Sequence, residues 1–301
     1  MLDVVIVGAG IAGLTSAVYA ARKRMKFAVL AKEFGGQFYE SGEILNYPSI
    51  KQTTGAEFAR MFEEQIKFNG IAPRIGEEVT GIAECEGGLK LRTKKDSCRG
   101  KTVILATGSR PRKIDVPGED RLANKGVTYC SICDGPLFSG QEIAIVGGGN
   151  SALEGVDFTH NIAKKIYVLN VGREFTAHEY LSEKITQYPN VEVIHEAETT
   201  EITGDTFVDG IVYRRKGKEH RLAVRGVIIE IGRIPNTDFL KGFLDLNEKG
   251  HIRIDCQSHT SKEGIFAAGD CASGQEFQYA IAAGQGCIAL LKAARYLANK
   301  K

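Results

Sequence analysis

Residues 2–13 read Leu2-Asp3-Val4-Val5-Ile6-Val7-Gly8-Ala9-Gly10-Ile11-Ala12-Gly13, and their order decides the fold. The β-branched run over 2–7 predicts a buried strand. A Gly-x-Gly-x-x-Gly turn follows it, and an apolar, alanine-rich stretch over about 14–24 predicts a helix. Gly8 permits a tight turn, Gly10 lets main chain approach a pyrophosphate, and Gly13 allows close helix packing, so that the helix start faces the anion. The glycine pattern alone is a weak signal; between a strand and a helix it points to a dinucleotide-binding α/β unit.

Downstream, residues 27–31 form the expected second strand. Glu33 stands about twenty residues beyond the turn, where a ribose-binding acid belongs. The strand itself ends on Ala31, which leaves open that Glu33 is a solvated loop charge. Gly35-Gly36-Gln37 and Asn46-Tyr47-Pro48 are loop-like. A helix is expected over about 55–69 and a small β-excursion over 79–92. Residues 102–106 predict another buried strand, and its Ala106-Thr107-Gly108 ending is where an open α/β sheet gathers ligand contacts.

Near residues 114–118 a Pro/Gly linker precedes a second cycle of the same kind. Residues 142–146 predict a strand, Gly147-Gly148-Gly149-Asn150-Ser151-Ala152 repeats the glycine turn, and about 153–161 repeats the helix. Two such units imply two dinucleotide sites, hence an electron donor and a carrier. After the next strand, over 166–169, Asn170-Val171-Gly172-Arg173 occupies the place that selects a cofactor. A carboxylate there binds an NAD ribose and clustered arginines hold an NADP phosphate; neither stands out. Residues 191–195, 199–203 and 210–214 are expected to complete one sheet, with 226–232 closing the domain. Residues 264–270 predict a strand ending in Gly269-Asp270, followed by Gln278 and a small-residue helix over about 279–297. A carboxylate at that strand end suits hydrogen bonding to a polyol or ribityl chain.

Between the two glycine turns lies Tyr129-Cys130-Ser131-Ile132-Cys133-Asp134-Gly135. Two thiols at this spacing can close a disulfide, and a depressed thiol pKa supplies the thiolate that exchange chemistry needs. By itself the motif also allows a zinc half-site or inert thiols, but the chain offers no second ligand pair to complete a zinc site. Asp134 can serve as a proton donor or acceptor, or as a turn carboxylate.

The bulk composition sets limits. The chain has 301 residues, a formal charge of +2, 43% apolar and 25% charged residues. That is room for two domains, and argues against a nucleic-acid binder or an acidic tail. No apolar run approaches the ~20 residues needed to cross a bilayer, and no basic leader opens the chain. A cytoplasmic protein is expected. The seven cysteines are odd in number, and five stand singly, at 85, 98, 256, 271 and 287, unlike a secreted disulfide framework. Those five are expected to be reduced, mostly buried and inert. The six histidines share no motif and read as surface or capping residues, Phe277 and Tyr279 as packing residues, and Lys94-Lys95 and Arg214-Arg215-Lys216 as solvated hairpin ends.

Together GAGIAG at 8–13, GGQ at 35–37, NYP at 46–48, ATG at 106–108, CSICDG at 130–135, GGGNSALE at 147–154 and Gly269-Asp270 resemble the low-molecular-weight thioredoxin reductase family over essentially the whole chain. The resemblance implies an α/β fold of two Rossmann-like dinucleotide-binding domains of the three-layer ββα type, the second inserted into the first. An FAD domain would comprise 1–112 and 241–301, and a nicotinamide domain carrying the CxxC would comprise 113–240. It places FAD on Gly8, Gly10, Ile11, Ala12, Gly13, Glu33, Gly36, Gln37, Asn46, Thr107, Gly108, Gly269, Asp270 and Gln278. A nicotinamide nucleotide would lie on Gly147, Gly149, Asn150, Ser151, Ala152 and Glu154, and no metal is implied. It further implies a homodimer, a rotation between domains, a Cys130–Cys133 disulfide with Cys133 facing the flavin as the charge-transfer thiolate, Cys130 as the interchange thiol, and Asp134 as acid/base. The implied partner is a thioredoxin or glutaredoxin-like protein, with neither nucleic acid nor membrane.

Two departures matter. Where NADPH-using relatives carry a histidine and arginines, this chain has Asn170, Val171, Gly172 and Thr176. Each lost guanidinium–phosphate bond removes about 1.5–3 kcal/mol, so NADH becomes the expected donor unless Arg173 or Lys164 compensates. Near the flavin, Phe277-Gln278 replaces an Arg-Gln pair, with loss of a cation. The missing clamp keeps other readings open: a ferredoxin-driven reductase, a dithiol oxidase that discharges onto oxygen, or a flavin-bearing partner module without turnover.

Overall fold

The structure, a computed structural model, describes residues 1–40, 43, 44, 46–273 and 277–300, the side chains of residues 40, 43 and 133 excepted. The chain forms two compact units, one from Met1–Arg110 with Ile234–Lys301 and the other from Pro111–Arg233. It passes between them twice, through the short strands Ser109–Pro111 and Arg233–Pro235.

In the first unit, strand Leu2–Ala9 pairs in parallel with Phe27–Phe34 on one side and Ser97–Leu105 on the other. Val4 to Val7 are buried on both faces, which is why the run is continuously apolar rather than alternating. Strand Ser97–Leu105 belongs to two layers. Its first half pairs antiparallel with Gly88–Thr93, and its last three residues pair in parallel with Ile265–Ala267. Gly88–Thr93 continues antiparallel into Val79–Cys85, so a meander covers one face of the sheet while helices cover the other. That is the expected three-layer arrangement.

The first helix spans Ile11–Arg22, not 14–24. Gly10 is its extended N-terminal cap, so the last three residues of the glycine motif already form the first turn. Arg24, in the left-handed region at φ 55°, ends it. This helix packs on the C-terminal helix Tyr279–Asn299 with almost no side chain between them. The Ser16 hydroxyl donates to Gly286 O at 2.8 Å, and a Cβ on Gly286 would stand 2.2 Å from Ala12 O. Helix Gly55–Phe68, closed by a Thr54–Glu57 capping box, seals the aromatic end of the core, where the Phe58 and Phe62 rings lie 5.2 and 5.3 Å from Phe38.

The second unit carries a five-stranded parallel sheet in the order Val127–Thr128, Gly226–Ile229, Glu142–Val146, Lys165–Asn170, Val191–His195. The sequence predicts that 191–195, 199–203 and 210–214 join one sheet. Instead Glu198–Gly204, Val208–Arg215 and Lys218–Leu222 form a separate antiparallel sheet. The chain turns out of the parallel sheet at Glu196, whose φ is +57°. Ile202, Val208 and Ile211 of the new sheet then share a core with Val146, Leu169 and Val227. Strand Lys218–Leu222 has no signal in the sequence: as an edge strand its first four residues are exposed, so it carries no apolar alternation.

Among the described residues no helix is long and apolar enough to cross a membrane. Cys98 and Cys271 are buried, Cys85 and Cys287 half-buried and Cys256 exposed, all free thiols, so the expectation that the five would be mostly buried holds for two. Burial raises the Cys98 and Cys271 thiols further from ionisation.

Candidate functional site

The glycine turn of the first unit is built by close main-chain approach. Gly8 has φ 114°, and a Cβ there would stand 2.0 Å from Ala106 O; one on Gly13 would stand 2.0 Å from Gly8 O. Gly10 is different: a Cβ there would meet nothing within 4 Å. The glycine leaves open space above a helix start that has no acidic residue in its first turn. Ile11 and Ala12 are buried beneath it, and Gly36, at φ 52°, stands close to Gly10. Uncapped N–H groups beside an open glycine suit the pyrophosphate of a dinucleotide.

Around this turn the fold gathers residues far apart in sequence. The Gln37 amide donates to Asp270 Oδ2 at 2.6 Å, and the Ser109 hydroxyl donates to the same oxygen at 3.3 Å. Gly269 N donates to Gln285 at 2.8 Å, Asn46 donates to Gln278 at 3.0 Å, and Tyr279 donates to Gln37 O at 3.0 Å. Thr107 donates to Asn236 O at 2.9 Å, Asn236 returns a bond to Thr107 O, and Gly108 (φ 64°) faces open space. Ser109, Asn236, Gln285 and Gly286 carry no local motif, so the sequence does not single them out. Glu33 lies inside strand Phe27–Phe34 and is exposed, since the strand runs on past Ala31. His251 is 8% exposed with its ring stacked 5.5 Å from Phe277, against the expectation of a surface histidine, and burial lowers its pKa.

The second glycine turn repeats the first. A Cβ on Gly147 (φ 147°) would stand 2.2 Å from Glu230 O, whereas one on Gly149 would come only within 3.8 Å of the Thr176 hydroxyl. Asn150 Oδ1 accepts His178 N at 2.8 Å, Ser151 is exposed, and Ala152 is buried under Gly147. Glu154 follows on the same helix, its carboxyl raised by partial loss of hydration.

Asn170, read as a cofactor-selecting position, is 5% exposed and internally committed. It donates to Glu174 O at 2.8 Å, meets His195 Nδ1 at 3.0 Å, and accepts Gly172 N at 3.2 Å. Val171 is 74% exposed, and Arg173 pairs with Glu196 at 3.4 Å. Lys164 precedes its strand, at the end opposite Gly147, and pairs with Glu142, so it cannot replace a phosphate clamp.

The CxxC runs into a short helix after strand Val127–Thr128: Cys130 directly precedes the helix Ser131–Asp134, which carries position 133. Cys130 is disulfide-bonded. The Cys133 side chain lies outside the described residues. Thr128, 6% exposed, donates its hydroxyl to Asp134 and accepts Cys130 N at 3.2 Å. Asp134 N donates to Cys130 O at 3.2 Å. Tyr129 donates to Glu119 at 2.7 Å; burial first, then Glu119, pushes its phenol far above the usual range. The helix sits on the one glycine of the neighbouring helix Asn150–Thr159: a Cβ on Gly155 would stand 2.3 Å from Ser131 Oγ. Ser131 in turn donates both main-chain N–H (3.3 Å) and hydroxyl (2.7 Å) to Glu230. Among the described residues no group of three His, Cys, Asp or Glu could hold a metal ion.

A family described as pyridine nucleotide-disulphide oxidoreductase matches residues 2–286. The chain is 41% identical over 304 residues to an NADH dehydrogenase of Bacillus subtilis (strain 168), covering 98% of this chain and 58% of that protein. It is 37% identical over 298 residues to a component of the alkyl hydroperoxide reductase of Staphylococcus epidermidis, covering 98% of this chain and 59% of that protein. The chain thus spans less than two thirds of the length of these curated relatives. Among solved structures, the thioredoxin reductase of Lactococcus lactis in its FR conformation matches with a TM-score of 0.89 at 31% identity, over 99% of this chain and 100% of that one.

Proposed function

The chain belongs to the pyridine nucleotide-disulphide oxidoreductase family, and from that membership we propose that it carries electrons from NADH, through FAD, to the Cys130 disulfide and on to a protein disulfide of thioredoxin or glutaredoxin type. The observation that carries this reading is a disulfide-bonded Cys130 on the same chain as two glycine turns of dinucleotide geometry. Bound FAD would supply a two-electron store that a reduced nicotinamide can fill and a disulfide can empty.

In this reading Gly8, Gly10, Ile11, Ala12 and Gly13 hold the pyrophosphate of FAD through main-chain N–H groups. Asp270, oriented by Gln37 and Ser109, accepts from a ribityl hydroxyl. Glu33, Gly36, Asn46, Thr107, Gly108, Gly269 and Gln278 complete that site. Gly147, Gly149, Asn150, Ser151, Ala152 and Glu154 receive the nicotinamide nucleotide. Opening a disulfide takes two electrons and two protons, and Asp134, two bonds from Cys130 through Thr128, is placed to hand a proton to a departing thiolate. Cys133 takes electrons from the flavin side and Cys130 exchanges with the partner. Ile132 (38% exposed) and Leu137 (77% exposed) offer apolar surface beside Cys130 for a protein partner. We also assign the protein a cytoplasmic, homodimeric state by family likeness.

NADH is favoured over NADPH because Asn170 is internally bonded and Val171 replaces a cation, and because the Bacillus relative is named an NADH dehydrogenase. The same missing clamp favours one second reading, a non-nicotinamide donor such as ferredoxin.

The test is anaerobic mixing of the FAD-loaded protein with NADH, NADPH or reduced ferredoxin while the flavin absorbance is followed. NADH should bleach it faster than NADPH, and oxidised thioredoxin should then restore it in the wild type but not in Cys133→Ser. Bleaching by ferredoxin alone would install the second reading. Failure of every donor, or full restoration in Cys133→Ser, would overturn the disulfide route, and peroxide formation driven by a dithiol alone would point to an oxidase.

A further inference from the structure

Ser131 stands between the two cysteines, and both of its donors are spent on one carboxylate that no motif singles out. Its N–H and its hydroxyl reach the same Oε1 of Glu230, at 3.3 and 2.7 Å. Glu230 directly follows strand Gly226–Ile229, its N–H donates to Val146 O at 2.8 Å, and its own carbonyl backs Gly147, where a Cβ would come within 2.2 Å. One residue therefore grips the second glycine turn with its main chain and the redox helix with its side chain. Ser131 is 3% exposed and packs closely on Gly155, where any Cβ would come within 2.3 Å of its hydroxyl.

We propose that Glu230 is a positioning residue that makes the Cys130 couple a stronger reductant, by holding Ser131 and by placing a carboxylate against the residue that directly follows Cys130. The inference rests on the reading of Cys130 as redox-active. Reduction of the disulfide takes up two electrons and two protons and breaks the S–S bond into two thiols, the more acidic of which ionises near neutral pH. A neighbouring negative charge disfavours that thiolate, and the N–H of Ser131, the first on the helix after Cys130, is already given to Glu230. Both effects move the equilibrium toward the disulfide, so the dithiol gives up its electrons more readily. The charged groups that bear on Glu230 are Arg233, which opposes its field, and Glu154, which adds to it. Asp134 sits on the same short helix as Ser131, tied to Thr128. Burial first, and Glu154 in addition, push the Glu230 carboxyl above its ordinary range, while the Ser131 bonds and Arg233 pull it back.

The test uses the full-length, FAD-loaded protein equilibrated in glutathione redox buffers at neutral pH, with free thiols trapped by alkylation and counted by mass. Glu230→Gln keeps an oxygen for Ser131 at the same volume and cannot ionise. It should move the equilibrium about tenfold toward the dithiol, which for a two-electron couple is about 30 mV, and the alkylation rate should rise at lower pH than in the wild type. Glu230→Ala should shift it at least as far; should that variant fail to fold, the glutamine variant decides alone. An equilibrium for Glu230→Gln within about twofold of the wild type overturns the inference and leaves the disulfide route standing. A wild type whose Cys130 cannot be reduced by any buffer overturns both.

Discussion

The hydroxyl of Thr128 donates to the carboxylate of Asp134 and, with the same oxygen, accepts the amide of Cys130 at 3.2 Å. A buried threonine thus orients the acid by a bond that also fixes the main chain of the sulfur-bearing residue. An acid/base group works only when its proton points along the line of transfer, so in the proposed role of Asp134 the threonine would be a positioning residue that does not touch substrate.

Asp134→Asn should therefore lower disulfide turnover about 10²-fold with flavin content unchanged. Thr128→Val, which keeps the shape and loses the hydroxyl, should cost about tenfold in kcat with KM little changed. Steady-state kinetics with oxidised thioredoxin across pH 5–9 checks both. An asparagine variant with full turnover would show that Asp134 is only a turn carboxylate.

Two glycines of one motif should fail differently. A Cβ on Gly13 strikes Gly8 O at 2.0 Å, so Gly13→Ala should destabilise the apoprotein by about 2–4 kcal/mol and lose flavin. A Cβ on Gly10 meets nothing within 4 Å of protein, so Gly10→Ala should leave apoprotein Tm unchanged and weaken FAD binding at least about tenfold. Thermal unfolding with and without FAD separates the two; equal effects would contradict the assignment of the space above Gly10.

Val171 is 74% exposed and free of the internal bonds that occupy Asn170, which makes it the place to restore a cation. Val171→Arg should raise the kcat/KM ratio of NADPH to NADH about tenfold, the effect of one charge-assisted bond to a phosphate. An unchanged ratio would mean that the 2′-position lies elsewhere.

Asp157 accepts bonds from Lys184 at 2.8 Å and from Tyr188. Burial alone would raise its carboxyl, but these two partners outweigh that effect and hold it below the ordinary range. With the folded pKa below the unfolded one, the stabilisation is present above about pH 4 and is lost as pH falls through the folded value. Asp157→Asn should be less stable than wild type by about 1 kcal/mol at pH 7, with the gap closing in denaturant melts below about pH 4. A gap independent of pH would assign the effect to packing.

Much of the fold is legible in the sequence because it is written locally. Strands Glu142–Val146 and Val191–His195 fall on the residues their apolar runs mark. The separate antiparallel sheet is not legible, because its departure depends on one positive-φ residue, Glu196, that no pattern announces. At the site, spacing alone finds Gly8, Gly13, Gly147 and the CxxC. It does not find Ser109, Asn236 and Glu230, since each is an ordinary residue in its own neighbourhood and gains meaning only from what it reaches. Asn170 has the position of a cofactor selector and is a buried brace of its own loop.

The sequence by itself determined two strand–glycine–helix turns and a cysteine pair between them, because backbone sterics and apolar periodicity act over a few residues. Tertiary structure alone decided that Gln37 reaches Asp270 across 233 residues and that Ser131 reaches Glu230 across 99. Such pairs form where parallel strands of one sheet end along the same edge, and a hydrogen bond between distant side chains leaves no periodic trace in either segment.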